Sequence, residues 1–298
     1  MRRRFVTLDV FTGRRFAGNP LAVLFEAQGL DGEAMQMIAR EFNLAETVFV
    51  LPPQSPAHRA RLRIFTPAVE LPFAGHPTVG TAVLLNRIDG GGSREFVLAE
   101  GIGPIPCTTA SLDHERGRAR FQLARLPEEL GEAANAETIA TALGLQPNEI
   151  GFDAFRPSLW SAGISFTFVP VRSLAAIRRC EPRLDQWEPA FTRHDRSSAY
   201  VFCRETVEAG AAFHARMFAP RLGVNEDPAT GAAAAAFAGA LLRFAPPGEG
   251  EHDVVIEQGY EMGRPSLITL SVSMQNGQLV GAAIGGEAVA VTEGTIDA

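Results

Sequence analysis

Hydrophobic and polar residues alternate along much of the chain, which is the pattern of half-buried β-strands. A helix is predicted to begin after Asp31, a suitable N-cap, and to end at Phe42, because one face of these turns is apolar. The pattern as a whole predicts an α+β fold with a mixed, mostly antiparallel sheet. The predicted strands cover residues 7–11, 20–25, 47–51, 61–65, 96–98, 101–107, 118–123, 165–170, 200–203, 213–218, 254–258, 266–272 and 278–284.

One segment of the chain recurs in its second half. RIFTP at 63–67, followed by HPTVG at 76–80, returns as RMFAP at 216–220, followed by DPATG at 227–231. The offsets of 153 and 151 positions are close to half of the 298 residues, as expected of a duplicated unit. We therefore predict two pseudo-symmetric lobes, each with a sheet wrapped around a central helix. The first lobe is residues 1–125, with 285–298 as a candidate addition, and the second is residues 126–284.

Each copy of the repeat ends at the start of an apolar helix. His76 and Asp227 stand at the expected N-cap positions, and Pro77 and Pro228 at the first helical positions. The free backbone N–H groups at the start of a buried helix attract anions. Ordinary capped core helices are the alternative interpretation. Two polar helix starts of this kind predict one ligand site formed by both lobes.

Composition excludes several classes of partner. The net charge of -7 does not favour nucleic acid, and no apolar run is as long as a membrane span. The N-terminal residues Met1–Arg4 lead directly into a predicted strand without the apolar core of a signal peptide, so we expect a cytoplasmic protein. The three cysteines are far apart and are expected to be reduced thiols.

The absence of lysine excludes further mechanisms, since all 27 basic residues are arginine. Neither a pyridoxal phosphate Schiff base nor a P-loop can form without lysine. The sequence also lacks HExxH and GxSxG motifs, so we expect neither a metal nor a cofactor. Glu46 precedes the apolar strand TVFVL, where burial would raise its pKa and suit it to proton transfer. A surface glutamate at a strand start is the alternative, which spacing alone favours.

Five strings together resemble the phenazine biosynthesis PhzF family over nearly the whole chain. The resemblance implies a diaminopimelate epimerase-like fold with two pseudo-symmetric lobes, an active site in the cleft between them, and a homodimer. The strings are DVFT…FAGNPLAVLF (9–25), MQMIAREFNLAETVFV (35–50), RIFTPAVELPFAGHPTVGTA (63–82), RMFAP…NEDPATGAAA (216–234) and QGYEMGRPS (258–266).

The resemblance also implies site residues. The family's catalytic carboxylate corresponds to Glu46, and its supporting polar residues correspond to His76 and Asp227. Gly75 and Gly231 match glycines whose backbone N–H groups face the ligand. Similar racemases use two cysteines at these helix starts, and neither position holds cysteine here.

Asn19, Pro77, Thr78 and Ala232 complete the predicted substrate-binding set. Ala232 is a departure, because family members commonly have serine after the DPATG glycine. Loss of that hydroxyl removes a donor to a substrate carboxylate, which would weaken binding by roughly 1.5–3 kcal/mol. The identity of the substrate therefore stays open.

These observations lead to a hypothesis of cofactor-independent isomerisation. Glu46 would move a proton between two carbons of a small carboxylated molecule, with His76 and Asp227 positioning the substrate and sharing protons. Two alternatives are a racemase or epimerase of an amino or hydroxy acid, and a non-catalytic small-molecule binding protein.

Overall fold

The computed structural model describes residues 1–192 and 198–298, and the chain divides into two compact units. The first unit is Met1–Gln122 with Gly285–Ala298, and the second is Leu123–Ile284. No helix in the described ranges is long and apolar enough to cross a membrane.

Seventeen strands and six α-helices follow one another along the described residues. As far as residue 122 these are β1 (Arg2–Val10), β2 (Asn19–Leu24), α1 (Gly32–Phe42), β3 (Glu46–Leu51), β4 (Ala60–Phe65), β5 (Glu70–Leu71), α2 (Gly75–Ile88), β6 (Ser93–Glu100), β7 (Gly103–Ser111) and β8 (Arg116–Gln122). After it come β9 (Glu128–Glu129), α3 (Ala136–Leu143), β10 (Ser158–Ser161), β11 (Ser165–Pro170), α4 (Leu174–Arg178), α5 (Trp187–Phe191), β12 (Ala199–Cys203), β13 (Phe213–Ala219), β14 (Val224–Asp227), α6 (Gly231–Phe244), β15 (Gly250–Gln258), β16 (Ser266–Gln275) and β17 (Gln278–Asp297).

The strands of the first unit form a closed ring of pairs. β1 pairs with β2, β2 with β3, β3 with β4, β4 with β6, β6 with β7 and β7 with β8, and β17 pairs with both β8 and β1. The β2–β3 and β4–β6 pairs are parallel. Helix α2 contacts β1, β2, β3, β6, β7 and β8, and its residues from Gly75 to Asn86 are all buried. This explains why its sequence is apolar on all sides.

The second unit repeats this order of pairing. β10 pairs with β11, β11 with β12, β12 with β13, β13 with β15 and β15 with β16, again with the second and fourth pairs parallel. Helix α6 packs against β10, β11 and β16. The RIFTP and RMFAP segments begin in β4 and β13, so the duplicated segments occupy corresponding strands. The prediction of an α+β fold with a mixed sheet is confirmed.

Further helices cover apolar faces of the strands. Helix α1 buries Met35, Ile38 and Ala39 in a cluster that includes Phe49 and Phe65. Burial of a side chain as large as that of Met35 or Ile38 contributes about 1.5–3 kcal/mol to stability. The predicted N-cap of α1 is confirmed, because Asp31 accepts a hydrogen bond from the backbone N–H of Ala34. In the second unit α3, α4 and α5 contribute to a separate buried cluster.

Close packing of the two long helices depends on glycine. A Cβ atom at Gly80 of α2 would lie 2.7 Å from side-chain atoms of Leu21 and Val10, which is too close for a real contact. At Gly239 of α6 an added Cβ would overlap the indole ring of Trp160 in β10. Both helices therefore approach their sheets at positions that exclude a side chain.

The predicted capping of these two helices is wrong. Ala74 holds the N-cap position of α2, so His76 and Pro77 are its second and third residues. Pro77 fits there because its position lies before the first intrahelical hydrogen bond. Helix α6 begins only at Gly231, with Thr230 as N-cap. Asp227 cannot cap it because it still pairs with Met217 as the last residue of β14.

Candidate active site

Glu46 and His76 form a pair within the first unit. Glu46 is the first residue of β3, opposite Leu21 of the parallel strand β2, and His76 lies in the first turn of α2. The Nε2 atom of His76 is 3.2 Å from Oε2 of Glu46, and their side chains are only 6% and 16% exposed. The interpretation of Glu46 as a freely exposed surface glutamate is therefore excluded.

His76 is neutral in this environment. Burial lowers its pKa to about 3, and a hydrogen bond with the backbone of Pro20 opposes this only partly. Proline has no N–H, so the imidazole must donate to the Pro20 carbonyl. Since Nε2 faces Glu46, we assign the donating N–H to Nδ1. The contact between His76 and Glu46 is thus not an ion pair at neutral pH.

This tautomer determines where a mobile proton can reside. With its proton on Nδ1, the Nε2 atom of His76 can only accept a hydrogen bond, and it lies 3.2 Å from Glu46 Oε2, so a hydrogen bond between these two atoms requires a proton on Glu46. His76 cannot remove that proton, because its cationic form is disfavoured by burial. The pair can therefore hold one proton on the glutamic acid, and the ionised form of Glu46 is a group ready to accept one.

A second buried carboxyl group lies beside the start of α2. The hydroxyl of Thr78 is 2.7 Å from the carbonyl of Ala74 and 2.8 Å from Oε1 of Glu100. The Thr78 hydroxyl has one proton for these two acceptors, and it can also accept a hydrogen bond from Glu100 when that carboxyl is protonated. Burial raises the pKa of Glu100 to about 8, in agreement with a protonated carboxyl. The first turn of α2 therefore lies beside a neutral acid rather than an anion.

Asp227 is held at the start of α6 in the second unit. Its Oδ2 atom accepts a hydrogen bond of 2.6 Å from the hydroxyl of Thr230. The preceding residue, Glu226, binds Arg216 through two hydrogen bonds of 2.8 Å each. Arg216 also donates to the carbonyls of Ile177 and Cys180. Partly buried hydrogen bonds therefore hold both the end of β14 and the Asp227 carboxylate.

The other predicted residues differ in their surroundings. Gly75 begins α2 and Gly231 begins α6, so their N–H groups precede the first intrahelical bonds. Ala232 is only partly buried in the first turn of α6. Thr78 uses its hydroxyl as described, and its N–H bonds to Ala74. Asn19 is completely buried beside Pro20, the partner of His76.

The three thiols have no acidic character. Burial raises the pKa of Cys107, Cys180 and Cys203 to about 12 in each case. A thiolate is the reactive form of cysteine, so these side chains are poorly suited to abstract protons.

The sequence analysis did not single out Glu100, Thr230 and Gln258, which form hydrogen bonds with the predicted site residues Thr78 and Asp227. Thr230 lies inside the DPATG motif, and Gln258 begins QGYEMGRPS, so both positions were visible as parts of motifs. Glu100 stands before a glycine in a polar turn, and only the tertiary structure shows that it is buried.

Comparison with known proteins shows the family to which the chain belongs. Residues 8–294 match the PhzC-PhzF family, described as phenazine biosynthesis-like protein. The chain is 50% identical to an uncharacterized isomerase of Mesorhizobium japonicum, with 99% of this chain and 98% of the relative covered. It is 35% identical to the trans-2,3-dihydro-3-hydroxyanthranilate isomerase of Pseudomonas aeruginosa, with 98% of each covered. The crystal structure of a PhzF-family phenazine biosynthesis protein from Bacillus anthracis has a TM-score of 0.89 at 26% identity, with 100% of both chains covered.

An acid/base pair at a buried helix start is typical of enzymes that move protons. The chain is an isomerase, as the names of these relatives indicate. It belongs to the PhzC-PhzF family.

Proposed function

We propose that this isomerase moves a proton between two carbons of a small carboxylated substrate, with Glu46 as the acid/base. The observation that carries the proposal is the buried contact between Glu46 and neutral His76. In its ionised form Glu46 accepts a proton from an acidic carbon, and the electron pair of the broken C–H bond enters the conjugated system of the substrate. His76 Nε2 then accepts a hydrogen bond from the new carboxylic acid until the proton returns to another carbon.

Asp227 and the two helix starts complete the proposal. Asp227 positions the substrate, and the N–H groups of Gly75 and Gly231 stabilise the negative charge that develops on its carboxylate. We further propose that the units are pseudo-symmetric lobes of a diaminopimelate epimerase-like fold, each with a central helix. The repeated motifs and the repeated order of strand pairing support this symmetry.

We propose that the substrate is a ring carboxylate of the class of trans-2,3-dihydro-3-hydroxyanthranilate, which is named for the Pseudomonas relative. This molecule combines an anionic group for the helix starts with a conjugated ring in which a proton can move. The protein is proposed to act as a homodimer, as the sequence resemblance implies, and light scattering should give a mass twice that of one chain.

The test follows the reaction of trans-2,3-dihydro-3-hydroxyanthranilate in deuterated water by proton NMR, with dialysed protein treated with EDTA. We expect the ring double bonds to move and deuterium to appear at the newly protonated carbon. Inversion at a single carbon without double-bond movement would instead support a racemase or epimerase. Binding without any exchange would support a non-catalytic binding protein.

Glu46→Gln tests the assigned base. It keeps the size of the side chain but cannot accept a proton, so turnover should fall by about 10²–10⁴-fold while the substrate still binds. Glu41→Gln is the matched control, because Glu41 is an exposed glutamate of the neighbouring helix α1 and should keep full activity. Full activity of Glu46→Gln would overturn the proposal.

A further inference from the structure

A buried amide joins β15 to the start of α6. Gln258 is completely buried, and its side-chain amide forms hydrogen bonds with Asp227 and Thr230. Its Oε1 atom accepts from the N–H of Thr230 at 3.2 Å. Its Nε2 atom donates to the carbonyl of Asp227 at 2.8 Å and to the hydroxyl of Thr230 at 3.0 Å. Gln258 thus accepts a hydrogen bond from a backbone N–H at the start of α6, where the N-cap residue Thr230 makes no capping hydrogen bond with its own side chain.

These contacts leave only one orientation for the amide. If the oxygen and nitrogen of Gln258 were exchanged, the oxygen would face the carbonyl of Asp227 and the nitrogen would face the N–H of Thr230. Both contacts would be repulsive. The first would bring two acceptors together, and the second would bring two donors together. The amide nitrogen therefore points to the Thr230 hydroxyl as a donor.

The direction of the next hydrogen bond follows. The Thr230 oxygen accepts from Gln258, and its only proton points to Oδ2 of Asp227 at 2.6 Å. A chain of donors thus runs from the amide through the hydroxyl to the carboxylate, in which each bond strengthens the next. Hydrogen bonding to the charged form of a carboxyl group favours that form.

The backbone fixes Gln258 in this position. It is paired with Ala215 of β13 and with Ser266 of β16, so strands hold it on both sides. The following residue, Gly259, has a φ of +79°, and a Cβ there would lie 2.5 Å from the carbonyl oxygen of Pro228. The chain can therefore turn closely against the segment after Asp227 only with glycine at this position.

We propose that Gln258 and Thr230 are positioning residues that keep Asp227 ionised and hold its carboxylate in one orientation. The inference rests on the proposed function and deepens it, since it names the residues that prepare Asp227 for the substrate. Asp227 then acts as a fixed negative charge and hydrogen-bond acceptor, and Glu46 remains the residue whose proton moves.

The test measures the ionisation of Asp227 directly. Protein labelled with carbon-13 at aspartate carboxyl groups is titrated by NMR, and Asp227→Asn identifies the signal. In Thr230→Val, which has the same shape without a hydroxyl, Asp227 should titrate at a higher pH than in the wild type. Thr230→Ser retains the hydroxyl and should titrate as the wild type does. A titration of Thr230→Val that matches the wild type would overturn the proposal.

Gln258→Met gives a second, independent measurement if Thr230→Val does not fold. Methionine retains the length of the side chain but cannot donate to Thr230, so Asp227 should again titrate at a higher pH. An unchanged titration here would also overturn the proposal.

Kinetics separate this inference from the proposed function. In the trans-2,3-dihydro-3-hydroxyanthranilate assay, kcat/KM of Thr230→Val should fall by about 10- to 100-fold, and Thr230→Ser should restore it. If the wild type does not turn over this substrate while the NMR shifts occur as expected, the proposed substrate is wrong and the positioning role stands.

Discussion

Glutamine in place of Glu100 is expected to change how the stability of the protein depends on pH. The Glu100 carboxyl is buried beside Thr78, and its pKa is raised from 4.5 to about 8. The unfolded chain releases this proton near the ordinary pKa, whereas the folded chain retains it. The folded state therefore loses stability as the pH rises from the unfolded toward the folded pKa, because the folded state binds more protons in that window.

The size of the effect follows from the two pKa values. Each pKa unit of difference corresponds to about 1.4 kcal/mol. From about pH 5 to pH 7 the free energy of unfolding of the wild type should therefore fall by about 2.5 kcal/mol relative to that of a variant without an ionisable group at position 100. Glu100→Gln has a similar shape and can still donate to Thr78 through its amide. Other titrating groups contribute equally to both proteins and cancel in the comparison.

Urea unfolding at these two pH values measures the difference. The free energy of unfolding of Glu100→Gln minus that of the wild type should increase by about 2.5 kcal/mol from pH 5 to pH 7. Glu95→Gln is the control, because Glu95 is an exposed residue of the same strand, and its difference should not change with pH. If the difference in free energy of unfolding between Glu100→Gln and the wild type were the same at both pH values, Glu100 would not be protonated in the folded protein in this pH range.

Two further predictions concern packing and binding. Gly239→Ala should lower the free energy of unfolding by about 1–3 kcal/mol, since the new methyl group overlaps Trp160, and thermal denaturation would show it. Gly248→Ala, where an added Cβ meets nothing within 4 Å, should change stability little, and an equal effect of both variants would contradict the packing argument. Ala232→Ser should tighten binding of trans-2,3-dihydro-3-hydroxyanthranilate by about 10- to 100-fold in calorimetry, because it adds a donor to the first turn of α6. Unchanged affinity would mean that this position does not reach the substrate carboxylate.

Local patterns were sufficient to predict most of the fold. The strand predicted at 47–51 is found as Glu46–Leu51, and the helix predicted after Asp31 is found as Gly32–Phe42. Alternation and capping are properties of neighbouring residues, so the sequence contains them directly. The strand Ser158–Ser161 was not predicted, because all four of its residues are buried and it shows no alternation.

The site was less predictable, because its important contacts join distant residues. Glu46 and His76 were recognised from motifs, but their contact and the neutral state of His76 follow from burial, which spacing does not encode. The helix starts were predicted wrongly because proline was taken as the first helical residue. Proline also fits in the turn before a helix and at later positions of the first turn. The contact between Gln258 and Thr230 spans 28 positions and leaves no local signal.

The proposed role of Glu46 as carrier of the mobile proton depends on a neutral His76 whose unprotonated Nε2 lies beside it. Nitrogen-15 NMR of the His76 imidazole from about pH 5 to pH 9 tests this directly, since ring nitrogen shifts report the tautomer. We expect a neutral ring with its proton on Nδ1 over this whole pH range. An imidazolium near pH 6, or a proton bound to Nε2, would contradict it.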